Sequence, residues 1–151
     1  MIKIESLFRL AEIEASKSEC PRTKVGCVLV KNNKILLAAH NKELSRLSHC
    51  KQFGCIRNKY NVESGTCFNN CYGIHAEQSL IIQCALKGIS PIGGELYITH
   101  IPCTTCAKLL IESGIKRISY IHNYPHTEAK RLFEEVGVIC EQWKMETANV
   151  K

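Results

Sequence analysis

The chain has 151 residues, of which 45% are apolar and 23% charged, proportions that suit one globular domain with a full hydrophobic core. No stretch approaches the roughly 18 apolar residues of a membrane span, and Met1 to Leu10 intersperses Lys3, Glu5 and Arg9 where a signal peptide would be apolar. Both features argue against membrane insertion and export, so a cytoplasmic protein is expected; the formal net charge of +6 suits an anionic partner but equally a solvated surface.

Ile4 to Ser16 places Leu7, Leu10, Ala11 and Ile13 partly at helical spacing and reads as an amphipathic helix, broken by Ser18 to Arg22. Val25 to Val30 is a β-rich apolar run, Asn32-Asn33 offers a turn, and Ile35 to Ala39 completes a hairpin. Both strands are almost continuously apolar, so both faces of their sheet are expected to be covered. Residues 41 to 74 lack a period and carry Cys50, Cys55, Cys67 and Cys71, an irregular Cys-rich excursion that needs another source of order. A helix over His75 to Leu86, closed by Lys87-Gly88, is followed by a strand over Glu95 to Thr99. A helix from Ala107 to Glu112, a strand over Arg117 to Ile121, a helix over Glu128 to Val136 and a short strand over Val138 to Cys140 complete the pattern. The polar tail from Lys144 on is expected to fray. Strand–helix alternation in the second half predicts a layered α/β domain, and no repeat or linker divides residues 1 to 151.

Two stretches concentrate the chemistry. Gly73-Ile74-His75-Ala76-Glu77-Gln78 supplies an imidazole and, two residues on, a carboxylate; Ile101-Pro102-Cys103-Thr104-Thr105-Cys106 supplies two thiols at C-x-x-C spacing after a proline. Each precedes a helical run, so both sets of donors are expected at helix N-termini, where the positive dipole end favours thiolate. One His and two Cys make three ligands where tetrahedral zinc takes four, and the open position is the mark of a catalytic site. Glu77 reinforces this reading, because a structural site has no use for a carboxylate beside a ligand, whereas a hydrolytic one needs a proton shuttle. The pattern H-x-E with P-C-x-x-C is the general signature of zinc nucleobase deaminases. The plain alternative is a chance C-x-x-C plus a surface His-Ala-Glu; either half alone would be weak evidence for a site, and the pair is strong.

The chain resembles the cytidine deaminase-like superfamily, and within it the deoxycytidylate (dCMP) deaminases. The matching segments are Cys20 to Gly26, His49-Cys50, Gly54 to Arg57, His75 to Gln78, Leu96 to Cys103, Cys106 to Lys108, Ser113 to Ile115 and Tyr120 to Tyr124. The resemblance implies a three-layer α/β/α fold with a five-stranded mixed sheet. It also implies hydrolysis of dCMP to dUMP and ammonia, with catalytic Zn2+ on His75, Cys103 and Cys106 and Glu77 as proton shuttle. Asn41 falls where the superfamily places a sugar-binding asparagine, although Asn is also an ordinary turn residue. Arg22 and Lys24 are candidates for the 5′-phosphate, and His100 and Tyr124 for base or sugar contacts; solvated charge and ordinary packing are the alternatives. A small-molecule nucleotide, no long nucleic acid and a homo-oligomer, possibly a hexamer, are the implied partners.

Ten cysteines in an unexported chain read as metal ligands and free thiols before disulfides. Cys27 and Cys140 fall in strands and Cys84 on the apolar side of a helix. Some members of the resembled group carry a second, structural zinc, and Cys20, Cys50, Cys67 and Cys71 are the expected ligands, with Cys55 or His49 as replacements; reduced free thiols are the alternative. The chain departs from the family at Ala39-His40-Asn41-Lys42, where a glycine-containing turn and a proline are usual. That region contributes to the effector site of members regulated by dCTP and dTTP, where Mg2+ would accompany the nucleotide, so regulation does not carry over with the zinc chemistry. Pro125-His126 stands where an acidic residue is common. Rival readings are deamination of cytidine, dCTP or tRNA adenosine, and a non-enzymatic zinc module binding nucleic acid or protein.

Overall fold

The structure, a computed structural model, describes residues 1–144; apart from Lys144 itself, the tail expected to fray lies outside the described residues. The first helix, α1, spans Ile4–Ser16, and the hairpin consists of β1 (Gly26–Lys31) and β2 (Lys34–His40). Asn32 and Asn33 both take positive φ, 49° and 58°, the handedness that a tight hairpin turn between twisted strands requires. The later elements are α4 (Ala76–Lys87), β5 (Glu95–His100), α5 (Thr104–Glu112), β6 (Arg117–His122), α6 (Ala129–Glu135) and β7 (Ile139–Gln142).

The excursion between β2 and α4 contains more regular structure than its composition predicts. It folds into β3 (Lys42–Glu43), α2 (His49–Phe53), α3 (Ile56–Lys59), a 3-10 turn over Phe68–Asn70 and β4 (Gly73–Ile74). β3 and β4 pair as a small antiparallel ribbon that leads directly into His75.

Five strands form one mixed sheet in the order β2-β1-β5-β6-β7. β1 runs antiparallel to both β2 and β5, while β5, β6 and β7 run parallel, as the strand–helix alternation requires. The pleat sorts side chains between two layers. On one face Cys27, Leu29, Leu96, Ile98 and Ile118 pack against Ala76 and Leu80 of α4, Leu110 of α5 and Phe133 of α6. On the other, Val28, Val30 and Tyr97 pack against Leu7, Phe8 and Ala11 of α1. The result is the expected three-layer α/β/α arrangement with a five-stranded mixed sheet. Cys84 lies in the core and Cys27 and Cys140 in strands β1 and β7, as expected.

One expectation needs correction. Burial on both faces holds for β1, but β2 alternates, with Leu37 and Ala39 buried and Ile35 45% exposed. β2 is the edge strand, so a continuous apolar run there does not mean continuous cover.

Gly26 shows how closely α1 seats on the sheet. A Cβ at this position would overlap the Ala11 carbonyl oxygen and the Ala15 amide nitrogen, both rigid backbone atoms. Gly26→Ala is therefore expected to destabilise the fold by about 1–3 kcal/mol through overpacking, measured as a lower urea midpoint. An unchanged midpoint would show that α1 can lift off β1 without loss.

Candidate active site

Two helix starts converge at the C-terminal ends of the central strands. His75 is the N-cap residue of α4, and Cys103 holds the same position in α5. The short β4 strand sets the first in place, and β5 followed by Ile101-Pro102 sets the second. Pro102 therefore lies just before the cap rather than inside the first turn. Gln78 closes the start of α4 from its third position, its Oε1 accepting from the His75 backbone N–H at 2.8 Å. This capping-box geometry accounts for the glutamine that follows His-Ala-Glu. In α5, the Cys103 Sγ accepts from the Cys106 backbone N–H at 3.5 Å.

The caps bring three donor atoms together. His75 Nδ1 lies 3.5 Å from Cys103 Sγ and 3.4 Å from Cys106 Sγ, and all three donors are within 4.8 Å of one another. The two thiols differ in acidity. Cys106 donates to Cys103 and His75 lies beside it, so Cys103 is held well below the usual thiol range; that same hydrogen bond and burial hold Cys106 above it. Glu77 occupies the second position of α4, is buried, and is not one of the three mutually close donors. Burial pushes its carboxyl up to about 7, against the opposing influence of His75.

A cavity of about 490 Å³ opens onto this cluster. His75, Glu77 and Cys103 form one wall, His100 and Tyr124 flank it, and the excursion supplies the opposite side, including Cys50, Arg57 and Phe68. Phe68 meets the His75 ring edge to face at 4.8 Å and stacks with Tyr124 at 6.4 Å. Gly65 allows the excursion to close in, since a Cβ there would stand 2.5 Å from the Pro125 carbonyl oxygen.

The substrate-contact candidates fare unevenly. Asn41, His100, Tyr124 and Arg22 line the cavity. The Asn41 amide is already engaged at both ends, accepting from Val25 N–H at 2.8 Å and donating to the Thr23 carbonyl at 2.7 Å. Arg22 donates to Asn58 Oδ1 and the Val62 carbonyl, each at 2.9 Å, and so ties the loop before β1 to the excursion. Lys24 is a correction: it is exposed and absent from the cavity wall, because the extended loop turns Thr23 and Val25 inward and Lys24 outward. Sequence reasoning missed Phe68 and Arg57, whose roles depend on contacts across the excursion.

The structure does not bring the quartet Cys20, Cys50, Cys67 and Cys71 together. No three of these thiols come within 4.8 Å of one another; the group that does form is Glu43, His49 and Cys50. Cys67 is exposed and takes a left-handed φ of 52° at the 3-10 turn, outside the cluster.

A three-layer α/β/α domain with a His, two Cys and a buried carboxylate at paired helix starts is the architecture of a deaminase. The chain belongs to the cytidine and deoxycytidylate deaminase family, whose zinc-binding region matches residues 1–122. It is 35% identical over 133 residues to ComE operon protein 2 of Bacillus subtilis, covering 87% of this chain and 66% of that protein. It is 29% identical over 141 residues to the deoxycytidylate deaminase of Schizosaccharomyces pombe, covering 90% of this chain and 42% of that one. The chain thus spans less than two thirds of the length of these relatives. Among solved structures, the dCMP deaminase of cyanophage S-TIM5 in complex with dCMP and dUMP superposes with a TM-score of 0.75 at 27% identity, covering 95% of this chain and all of that one.

His100 allows a test of this environment. Burial and the neighbouring His122, with ring centroids 5.0 Å apart, hold its pKa down from 6.5 to about 4. A histidine neutral in the fold but protonated when unfolded costs stability as pH falls from about 6.5 toward 4. His100→Asn is expected to flatten that part of the urea-midpoint profile; an unchanged slope would contradict the burial of a neutral imidazole.

Proposed function

We propose that the chain hydrolyses the 4-amino group of dCMP, giving dUMP and ammonia and so supplying the precursor of thymidylate. The observation that carries this reading is the buried Glu77 carboxylate beside a donor set of only three, both facing a nucleotide-sized cavity. Two thiol sulfurs and one imidazole nitrogen at mutually close range suit zinc, and three protein ligands leave one tetrahedral position for chemistry. Bound there, zinc would supply an acidified water as the nucleophile for pyrimidine C4.

The remaining work falls to this chain's side chains. Glu77 accepts a proton from the attacking water, delivers one to the ring nitrogen and assists departure of the amine. A cation on His75, Cys103 and Cys106 would draw its carboxyl down from about 7, keeping it able to accept. Tyr124, Phe68 and His100 bound the space for the base, and Asn41 keeps a spare lone pair and N–H for the sugar. The named substrates of the yeast and phage relatives support dCMP over cytidine or dCTP. The buried carboxylate and incomplete ligand set disfavour a non-enzymatic zinc module.

We also place a second cation at Glu43, His49 and Cys50. Their donor atoms lie within 4.8 Å of one another, and the buried His49 Nδ1 has no hydrogen-bond partner. A homo-oligomer belongs to the same reading, since Ile82 and Leu86 on the outer side of α4 stand 48% and 80% exposed.

Glu77→Gln is expected to retain zinc at the catalytic site while turnover of dCMP falls about 10²- to 10⁴-fold, the usual contribution of a positioned acid–base group. A variant that kept most of its rate would remove Glu77 from this role. Metal analysis is expected to find two zinc ions per chain, falling to one in Cys50→Ser. A single ion in the unaltered chain would eliminate the second site and leave the first intact.

A further inference from the structure

Arg57 is the only lysine or arginine buried among the described residues, at 6% exposure, and no carboxylate there is in ion-pairing contact with it. One Nη2 donates to the Thr66 carbonyl at 2.9 Å and reaches the Glu63 carbonyl at 3.5 Å. Its Nε is shut off from solvent with no partner at all. A buried ion without a counter-charge is costly, and it persists where a ligand supplies the missing charge. Arg57 lines the cavity that holds His75 and Glu77. Its guanidinium lies over the Phe68 ring at 4.9 Å, and Phe68 in turn meets the His75 ring at 4.8 Å. Arg57 is therefore no farther from His75 than those two spacings combined, a distance that a pyrimidine nucleotide spans between its amino group and its phosphate.

The other cationic candidates are less suited to this task. Arg22 is occupied by Asn58 and Val62, Lys17 by Glu14 and Lys42 by Ser45, Lys51 is exposed, and Lys24 lies off the cavity wall. We propose that Arg57 binds the 5′-phosphate of the substrate and so sets the preference for nucleotide over nucleoside. Resting on the deaminase reading above, this makes Arg57 a specificity-determining residue: it engages the phosphate through N–H donors and positions C4 without taking part in the proton transfers. A planar guanidinium suits the task because its fork of donors matches phosphate oxygens.

The test measures kcat/KM for dCMP and for deoxycytidine in the unaltered protein, Arg57→Lys and Arg57→Gln. In Arg57→Gln the ratio of the two values is expected to fall about ten- to a hundredfold, mostly through KM for dCMP, as loss of a charge-assisted hydrogen bond predicts. Arg57→Lys is expected to recover part of that loss by restoring the charge. An equal decline on both substrates would assign Arg57 a structural role and overturn the proposal. Should the variants fail to fold, the Arg57 Nε–H resonance of the unaltered protein decides. It is expected to shift on addition of dCMP and not of deoxycytidine, and no shift with dCMP overturns the proposal. An unaltered protein that deaminates neither compound contradicts the proposed function instead, whereas turnover of dCMP with an unmoved ratio contradicts Arg57 alone.

Discussion

The whole arrangement depends on two helices beginning at the same point in space. His75 and Cys103 each end an extended segment and cap a helix, so their side chains project from backbone held by the β3-β4 ribbon in one case and by β5 of the main sheet in the other. Cys106 and Glu77 then follow at the third and second helical positions, where the helix pitch alone decides their direction. The unpaired N–H groups of two helix starts create a positive environment that favours thiolate and carboxylate. The packing of Ala76 and Leu80 in α4 and Leu110 in α5 against Leu29, Leu96 and Ile98 holds both starts to the same sheet face. Movement of either helix would separate donors that stand about 3.5 Å apart.

The excursion encloses a cavity over this donor cluster. Gly65 against Pro125, the hydrogen-bond contact of Glu63 Oε1 with His126 Nε2 at 2.9 Å, and Phe68 between His75 and Tyr124 join it to the loop after β6. Arg22 adds a tie to the loop before β1. Exposed contacts of this kind contribute little by themselves, so the close approach at Gly65 and the ring contacts carry most of this closure. The segment with the weakest sequence periodicity thus builds the wall opposite the donors.

Local chemistry was the most legible part of the chain. The period of Leu7, Ala11 and their neighbours located α1 to its observed ends, and Asn32-Asn33 located the hairpin turn. His75, Glu77, Cys103 and Cys106 stood out because their spacing relative to helix starts is itself the geometry. Where sequence reading fell short, the missing information was tertiary. A continuous apolar run could not reveal that β2 is an edge strand. His49 was among the replacement ligands the sequence offered, but cysteine content could not reveal that Cys67 would be exposed or that Glu43 would join His49 and Cys50. Arg22 and Lys24 drew attention by lying next to β1, whereas the buried, unpaired cation is Arg57, more than thirty positions further along.

The central claim is that an open three-donor metal site with a buried acid beside it performs hydrolytic deamination. Ammonia release from dCMP by zinc-loaded protein, by the same protein stripped with a chelator, and after zinc is restored tests it most directly. Release is expected with zinc, to vanish on stripping and to return on restoration, with dUMP formed in equal amount. Equal rates in all three samples, or none in any, would contradict it.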